Sequence, residues 1–258
     1  MKVVIFAGGL GTRLMEETEA RPKPMVEIGG KPILWHIMKI YSSYGFNDFI
    51  ICLGYKQYMI KEYFLNYYSH NSDLKIDLKT NKTEIINSSS ENFNVTLVDT
   101  GLTTNTAGRL KKIKEHIGNE TFMLTYGDGV ADIDLNKLVK FHTEKGKLVT
   151  LTSIQVPGRF GYIESDDDGN VLRFVEKPED DGVWINGGFM VLQPEIFSYL
   201  DGDMENIQWE KKPLKEIAEA NQLTTYKHNG FWKCMDAMRD KIELEEMWNS
   251  GNAKWKIW

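Results

Sequence analysis

Apolar and polar positions follow two different periods along the first half of the chain. Met1–Phe6 is a short apolar run ending at a glycine turn, and it reads as a buried first strand. Gly29-Gly30-Lys31-Pro32 then opens a helix with proline at its first turn. Ile33, Ile37, Ile40, Tyr41 and Tyr44 recur behind it at helical spacing. Asn47–Leu53 reads as the second strand, and Lys56–Tyr68 as a helix whose aromatic face belongs to the core. Phe122–Thr125 is another buried strand, running into Tyr126-Gly127-Asp128-Gly129. A helix over Leu135–Lys145 and a strand over Leu148–Ile154 continue the alternation. Strands alternating with helices predict an α/β fold with a mostly parallel sheet covered on both faces. Two stretches break the rhythm. Asn71–Asn94 is polar, with strand-like scraps at Leu74–Leu78 and Glu84–Ile86, and predicts a hairpin or excursion. Residues 160–192 hold several β-like runs separated by turn residues, and predict a small antiparallel β addition. No repeat and no domain boundary appears, so residues 1–258 are expected to form a single domain.

Composition narrows the function. With 41% hydrophobic residues, the 258-residue chain can bury a sizeable core. A net charge of −6 argues against a general nucleic-acid binder, so local basic residues must do any phosphate work. Cys52 and Cys234 have no metal-ligand spacing, which fits a reducing compartment. Met1 leads straight into a strand, and no apolar run approaches the ~18 residues of a membrane span. The expectation is a cytoplasmic protein with neither nucleic-acid nor membrane partners.

The densest chemistry lies between residues 6 and 24. Phe6-Ala7-Gly8-Gly9-Leu10-Gly11-Thr12-Arg13 follows the first strand, and Pro22-Lys23-Pro24 comes soon after. Glycines at 8, 9 and 11 let backbone N–H groups approach phosphate oxygens, and Arg13 and Lys23 add charge. Two commoner glycine motifs do not fit. A dinucleotide fingerprint needs a third glycine where Leu14 stands, and an acid after the second strand, which ends Cys52-Leu53-Gly54. A phosphate-binding loop needs Gly-Lys-Ser/Thr, which is absent. A glycine turn that only reverses the chain leaves Thr12, Arg13 and Lys23 unexplained.

Other polar signals fall where strands end, the usual rim for ligands in open α/β sheets. Asp128 follows Phe122–Thr125, Lys177 follows Val171–Val175, Asn186-Gly187-Gly188 interrupts a β-like run, and Asp236 follows Phe231–Met235. Asp128 and Asp236 are candidate ligands for Mg²⁺, a hard cation that takes one or two carboxylates plus substrate phosphates. A turn aspartate is the alternative for Asp128, and a helix N-cap an equally good one for Asp236. No nucleophile signature is present. This suits direct displacement at phosphorus, where positioning and charge neutralisation do most of the work. Arg13 would stabilise the leaving phosphates, and Lys23 would hold the α-phosphate beside the attacking phosphate.

These segments resemble the signature of the sugar-1-phosphate nucleotidylyltransferases. The likeness rests on Gly8–Leu14 with Pro22-Lys23-Pro24, Gly127-Asp128-Gly129, Phe160-Gly161, Glu176-Lys177-Pro178, Asn186-Gly187-Gly188 and Asp236, six motifs in order over nearly the whole chain. Met25–Ile37, Val95–Gly101 and Gly108-Arg109-Leu110 are similar to the cytidylyl branch in particular, with a departure at Ala107, where that branch has a glycine. The resemblance implies a Rossmann-like fold, similar to nucleotidyltransferase type A, and homo-oligomers. It implies that CTP and glucose 1-phosphate react with Mg²⁺ present. It implies a nucleotide site of Phe6, Ala7, Gly8, Gly9, Leu10, Gly11, Thr12, Arg13, Lys23, Thr104, Arg109 and Asp128, with Thr103 and Thr106 as competitors for the Thr104 role. Gly161, Glu176, Lys177 and Asn186 would bind the sugar phosphate, and Asp128 and Asp236 the metal. For Arg109, Lys177 and Glu176 a surface position is the alternative. The competing functions are the same reaction with UTP or dTTP, and a nucleotide-binding module without turnover.

Overall fold

The computed structural model describes residues 1–155, 162–166, 168, 170–175 and 183–258. At its centre lies a seven-stranded sheet. Its order from one edge is Leu223–His228, Val149–Gln155, Trp184–Leu192, Phe122–Tyr126, Val3–Phe6, Asp48–Leu53 and Asn94–Asp99. All neighbouring pairs are parallel except the two that Trp184–Leu192 makes. The mostly parallel sheet flanked by helices is therefore borne out. The run Trp184–Leu192, expected as part of an appended β unit, is in fact a central antiparallel strand, because its apolar Phe189, Met190, Val191 and Leu192 are all buried in the sheet. The small antiparallel addition is the pair Tyr162–Ser165 and Val171–Val175.

The first strand shows why the sheet reads as an unbroken apolar run. Val3 and Ile5 join one core with the helices Ile33–Ser42, Leu135–Lys145 and Met238–Asn249. Val4 and Phe6 join a second core, with Ala107, Leu110 and Trp209. Both faces of the strand are covered, so no polar alternation survives. Each such buried side chain stabilises the fold by roughly 1.5–3 kcal/mol.

Asn71–Asn94 does form a hairpin, of strands Ser72–Asp77 and Lys82–Ser88. Gly29 and Gly30 make the turn of a second small hairpin, at φ 59° and 73°, and the helix starts one residue after Pro32, at Ile33. The two left-handed residues are what a tight hairpin turn requires. Among the described residues no helix is long and apolar enough to cross a membrane.

The last residues pack inward. Trp255 is 1% exposed, and the rings of Trp248, Trp255 and Trp258 surround the buried imidazole of His36. His36 Nε2 lies 2.8 Å from the carbonyl of Ile28, and Trp255 Nε1 donates to Nδ1 at 3.3 Å. These partners fix a neutral ring with its proton on Nε2. Burial holds its pKa down at about 4, against 6.5 ordinarily. Between those values the unfolded chain binds the proton and the folded chain does not. Stability from His36 is therefore complete above pH 6.5 and falls with pH down to about 4, by about 3 kcal/mol in all. Urea unfolding of the wild type and His36→Gln between pH 7.5 and 4.5 checks this. The variant is expected to lose less stability on acidification, by about 2.5 kcal/mol over this range, and parallel curves would contradict it.

Candidate active site

The turn after Val3–Phe6 is built to present donors. Backbone N–H groups of Gly8, Gly9, Leu10 and Gly11 make no hydrogen bond to another described residue. Gly11 sits at φ 66°, which reverses the chain into the short turn Thr12–Leu14. Gly8 has a packing reason as well: a Cβ there would lie 2.2 Å from Nη1 of Arg109. Arg109 is 4% exposed, not a surface residue. Its guanidinium donates to the carbonyls of Leu53 (2.8 Å), Gly101 (2.9 Å) and Gly8 (3.0 Å), and to Thr100 Oγ1 (2.7 Å). Among the described residues no carboxylate pairs with it, so burial pulls its pKa down from the ordinary value. The charge stays behind the turn and ties it to the ends of two strands.

One cavity, of about 210 Å³, opens in front of the turn. Phe6, Ala7, Gly8, Gly9, Gly11, Lys23, Thr104, Arg109 and Asp128 line it. Thr104 is 3% exposed, and its hydroxyl donates to Glu205 Oε1 at 2.8 Å. Leu10 and Thr12 are exposed beside it. A second cavity, of about 200 Å³, is lined by Arg13, Asn186 and Asp236 among others. Tyr126 and Asp128 line both, so the two adjoin at the end of one strand. Gly161, Glu176 and Lys177 lie outside the described residues.

At the junction the charges converge. Lys23 Nζ stands 2.6 Å from Asp128 Oδ2 and 2.7 Å from Asp236 Oδ1, and Arg13 Nη1 stands 2.6 Å from Asp236 Oδ2. Burial opposes the lysine charge, but Asp128 and Asp236 outweigh it and hold the ammonium above its ordinary pKa. Burial likewise opposes the Asp236 charge, and Lys23 and Arg13 outweigh that. Asp236 is not the cap of the following helix. Ala237 holds the N-cap position, and Asp240, at the third helical position, accepts from the N–H groups of Asp236 (3.1 Å) and Ala237 (2.9 Å). The Asp236 carboxylate is thereby left facing the cavity.

Two aspartates, 25% and 34% exposed and already bridged by a cation, suit a hard divalent ion that keeps several waters.

Glu210, which ties residues of the two cavity walls together, carries no signal in the sequence. Tyr126 donates to Glu210 Oε1 at 2.5 Å and accepts from Asn186 Nδ2 at 3.3 Å. Thr106 donates to the other oxygen of Glu210 at 2.8 Å. Glu210 thus joins the walls of both cavities, from a position in sequence that nothing marks. Trp232 donates to the Gly187 carbonyl at 2.7 Å, and Cys234 lines the second cavity.

Comparison with known proteins decides the family. Residues 2–249 match the family model described as nucleotidyl transferase. The chain belongs to the nucleotidyl transferase family. It is 52% identical to the glucose-1-phosphate cytidylyltransferase of Salmonella typhi, over 100% of both chains. Identity is 30% to a UTP–glucose-1-phosphate uridylyltransferase of Synechocystis, over 80% of this chain and 52% of that one. Among solved structures, HddC from Yersinia pseudotuberculosis superposes with a TM-score of 0.69 at 23% identity, covering 96% of this chain and 99% of that chain, which establishes the shared fold. Membership in this family gives the paired aspartates and the open N–H groups of the glycine turn a common context.

Proposed function

We propose that the chain transfers the cytidylyl group of CTP to α-D-glucose 1-phosphate, forming CDP-glucose and pyrophosphate. Full-length identity of 52% to a glucose-1-phosphate cytidylyltransferase carries this reading, against 30% to the uridylyl relative. The reaction balances as one displacement. A phosphate oxygen of glucose 1-phosphate forms a bond to the α-phosphorus of CTP, and the bond to the β-phosphate oxygen breaks, releasing pyrophosphate.

The residues divide this work. The free N–H groups of Gly8, Gly9, Leu10 and Gly11 cradle the triphosphate beside Phe6, Ala7 and Thr12. Arg109 keeps that turn in place and, with Thr104, closes the nucleotide cavity from behind. Arg13 stabilises charge on the leaving phosphates. Lys23 holds the α-phosphate and the incoming phosphate together, which is positioning and electrostatic catalysis in one group. Asn186 reads the sugar in the second cavity, and Gly161, Glu176 and Lys177 complete the sugar-phosphate site. Asp128 and Asp236 hold Mg²⁺, which when bound neutralises charge on the phosphates.

The whole of residues 1–258 acts as one domain, in the cytoplasm, where CTP is available. CDP-glucose made there supplies CDP-deoxysugars for O-antigen or other surface polysaccharide. The working unit is a homo-oligomer. The hairpin of residues 72–88 supports this, since Leu74, Ile76, Ile85 and Ile86 on it are 38–58% exposed and an isolated hairpin is marginal in water.

Pyrophosphate release from glucose 1-phosphate with Mg²⁺ and each of CTP, UTP, dTTP and ATP tests the reaction. CTP is expected to lead in kcat/KM by about 10-fold or more. A lead by UTP or dTTP would reassign the base, and binding of all four without release would leave a nucleotide-binding module.

A further inference from the structure

We propose that Cys234 makes the Asp128–Asp236 pair a mixed oxygen–sulfur site, at which thiophilic divalent cations such as Zn²⁺ and Cd²⁺ bind in place of Mg²⁺ and block the enzyme. The proposal rests on the metal role of the two aspartates given above and adds a third ligand to it. One ligand atom from each of Asp128, Cys234 and Asp236 lies within 4.8 Å of the others. A single ion with bonds of about 2.0–2.3 Å bridges such a span with small side-chain movements.

Backbone pairing sets these distances. Strand Trp232–Cys234 runs antiparallel to Gly129–Ala131, with Cys234 opposite Gly129. The N–H of Met235 donates to the carbonyl of Asp128 at 2.8 Å. The stretches carrying all three side chains are therefore laced together. A separate observation marks the point between them as a cation position: the Lys23 ammonium sits there, 2.6 and 2.7 Å from the two carboxylates. A divalent ion and that ammonium cannot share the point, so the ion enters as Lys23 moves aside. The thiol lines the second cavity and is reached from it.

Softness then separates the metals. Mg²⁺ is served by the carboxylates and gains little from sulfur, whereas Zn²⁺ and Cd²⁺ gain a thiolate bond. On binding, the S–H bond breaks, a sulfur–metal bond forms and the proton passes to solvent, with no change of oxidation state. The bound ion then holds the position that the reaction needs for Mg²⁺.

Cadmium titration of the reduced, metal-free full chain tests this, read as thiolate-to-metal charge-transfer absorption in the ultraviolet. Cys52, the other cysteine, is 0% exposed within the sheet and does not compete. A band saturating near one equivalent is expected. Cys234→Ser and Cys234→Ala should lose the band and bind Cd²⁺ about 10-fold or more weakly. Asp236→Asn should keep a band but weaken Cd²⁺ binding. No band in the wild type, or unchanged Cd²⁺ affinity in the folded Cys234 variants, overturns the proposal. Unchanged affinity in Asp236→Asn would also overturn it, since the thiol would then bind alone. Turnover of CTP with Mg²⁺ in the same preparation reports separately on the reaction. Active protein without a band refutes the mixed site only, and a band without turnover refutes the reaction only.

Discussion

Asp128→Ala is expected to lower turnover about 1000-fold or more while leaving the protein folded. Asp128 is one of two carboxylates that meet Lys23 at the junction of the cavities. Removing it takes away half of the charge that would hold a divalent ion, and the ion supplies several kcal/mol of transition-state stabilisation. At about 1.4 kcal/mol per factor of ten, that loss is in the range predicted. The fold should survive for a local reason. The backbone of Asp128 accepts from Met235, a bond that alanine keeps, and the side chain is a quarter exposed. Lys23 retains Asp236 as a partner. Pyrophosphate release and a thermal melt on one preparation check both parts. Activity within about tenfold of the wild type would remove Asp128 from the chemistry, and a collapsed melting temperature would make the variant uninformative about catalysis, in which case Asp128→Asn, which keeps the shape, decides.

Much of this arrangement was legible in the chain because local chemistry and global fold agree there. Helix Leu135–Lys145 was readable to the residue: Asp134 caps it through the N–H of Lys137, and Gly146 ends it at φ 60°. The hairpin within 71–94 was readable because its two strands pair with each other across a short local turn. Failures came where pairing is long-range. Trp184–Leu192 follows a stretch of turn-rich β signals, and only its apolar second half hints that it joins the central sheet. Nothing local to Trp255 and Trp258 reveals His36, more than two hundred residues earlier, as the group they enclose. The site divides in the same way. Glycines, Lys23, Asp128 and Asp236 stand at strand ends and in short motifs. Glu210, which ties Tyr126 to Thr106, and the carbonyls that absorb Arg109, have no signature, since their roles are contacts and not chemistry of their own.

Lys23→Met separates the two jobs assigned to that lysine, and its expected signature is a pair of opposite changes. Methionine keeps the unbranched stem between Pro22 and Pro24 and removes only the charge. Without the ammonium nothing clamps the two reacting phosphates, and kcat should fall about 100- to 1000-fold, the range for one lost electrostatic contact at a developing charge. Affinity for the divalent ion in the absence of substrate should move the other way. In the wild type that ion competes with an ammonium lying 2.6 and 2.7 Å from the same carboxylates. In the variant the competitor is gone, and among the described residues the exposed Arg13 is the cation still paired with either carboxylate, at Asp236. Their mutual repulsion then favours any cation that enters. Calorimetric Mg²⁺ titration and steady-state kinetics on the same preparation give both numbers. Slower turnover with tighter metal binding is expected. Loss of both together would mean that methionine has disordered the loop, and a change confined to the KM for glucose 1-phosphate would move Lys23 from the reacting phosphates to the sugar.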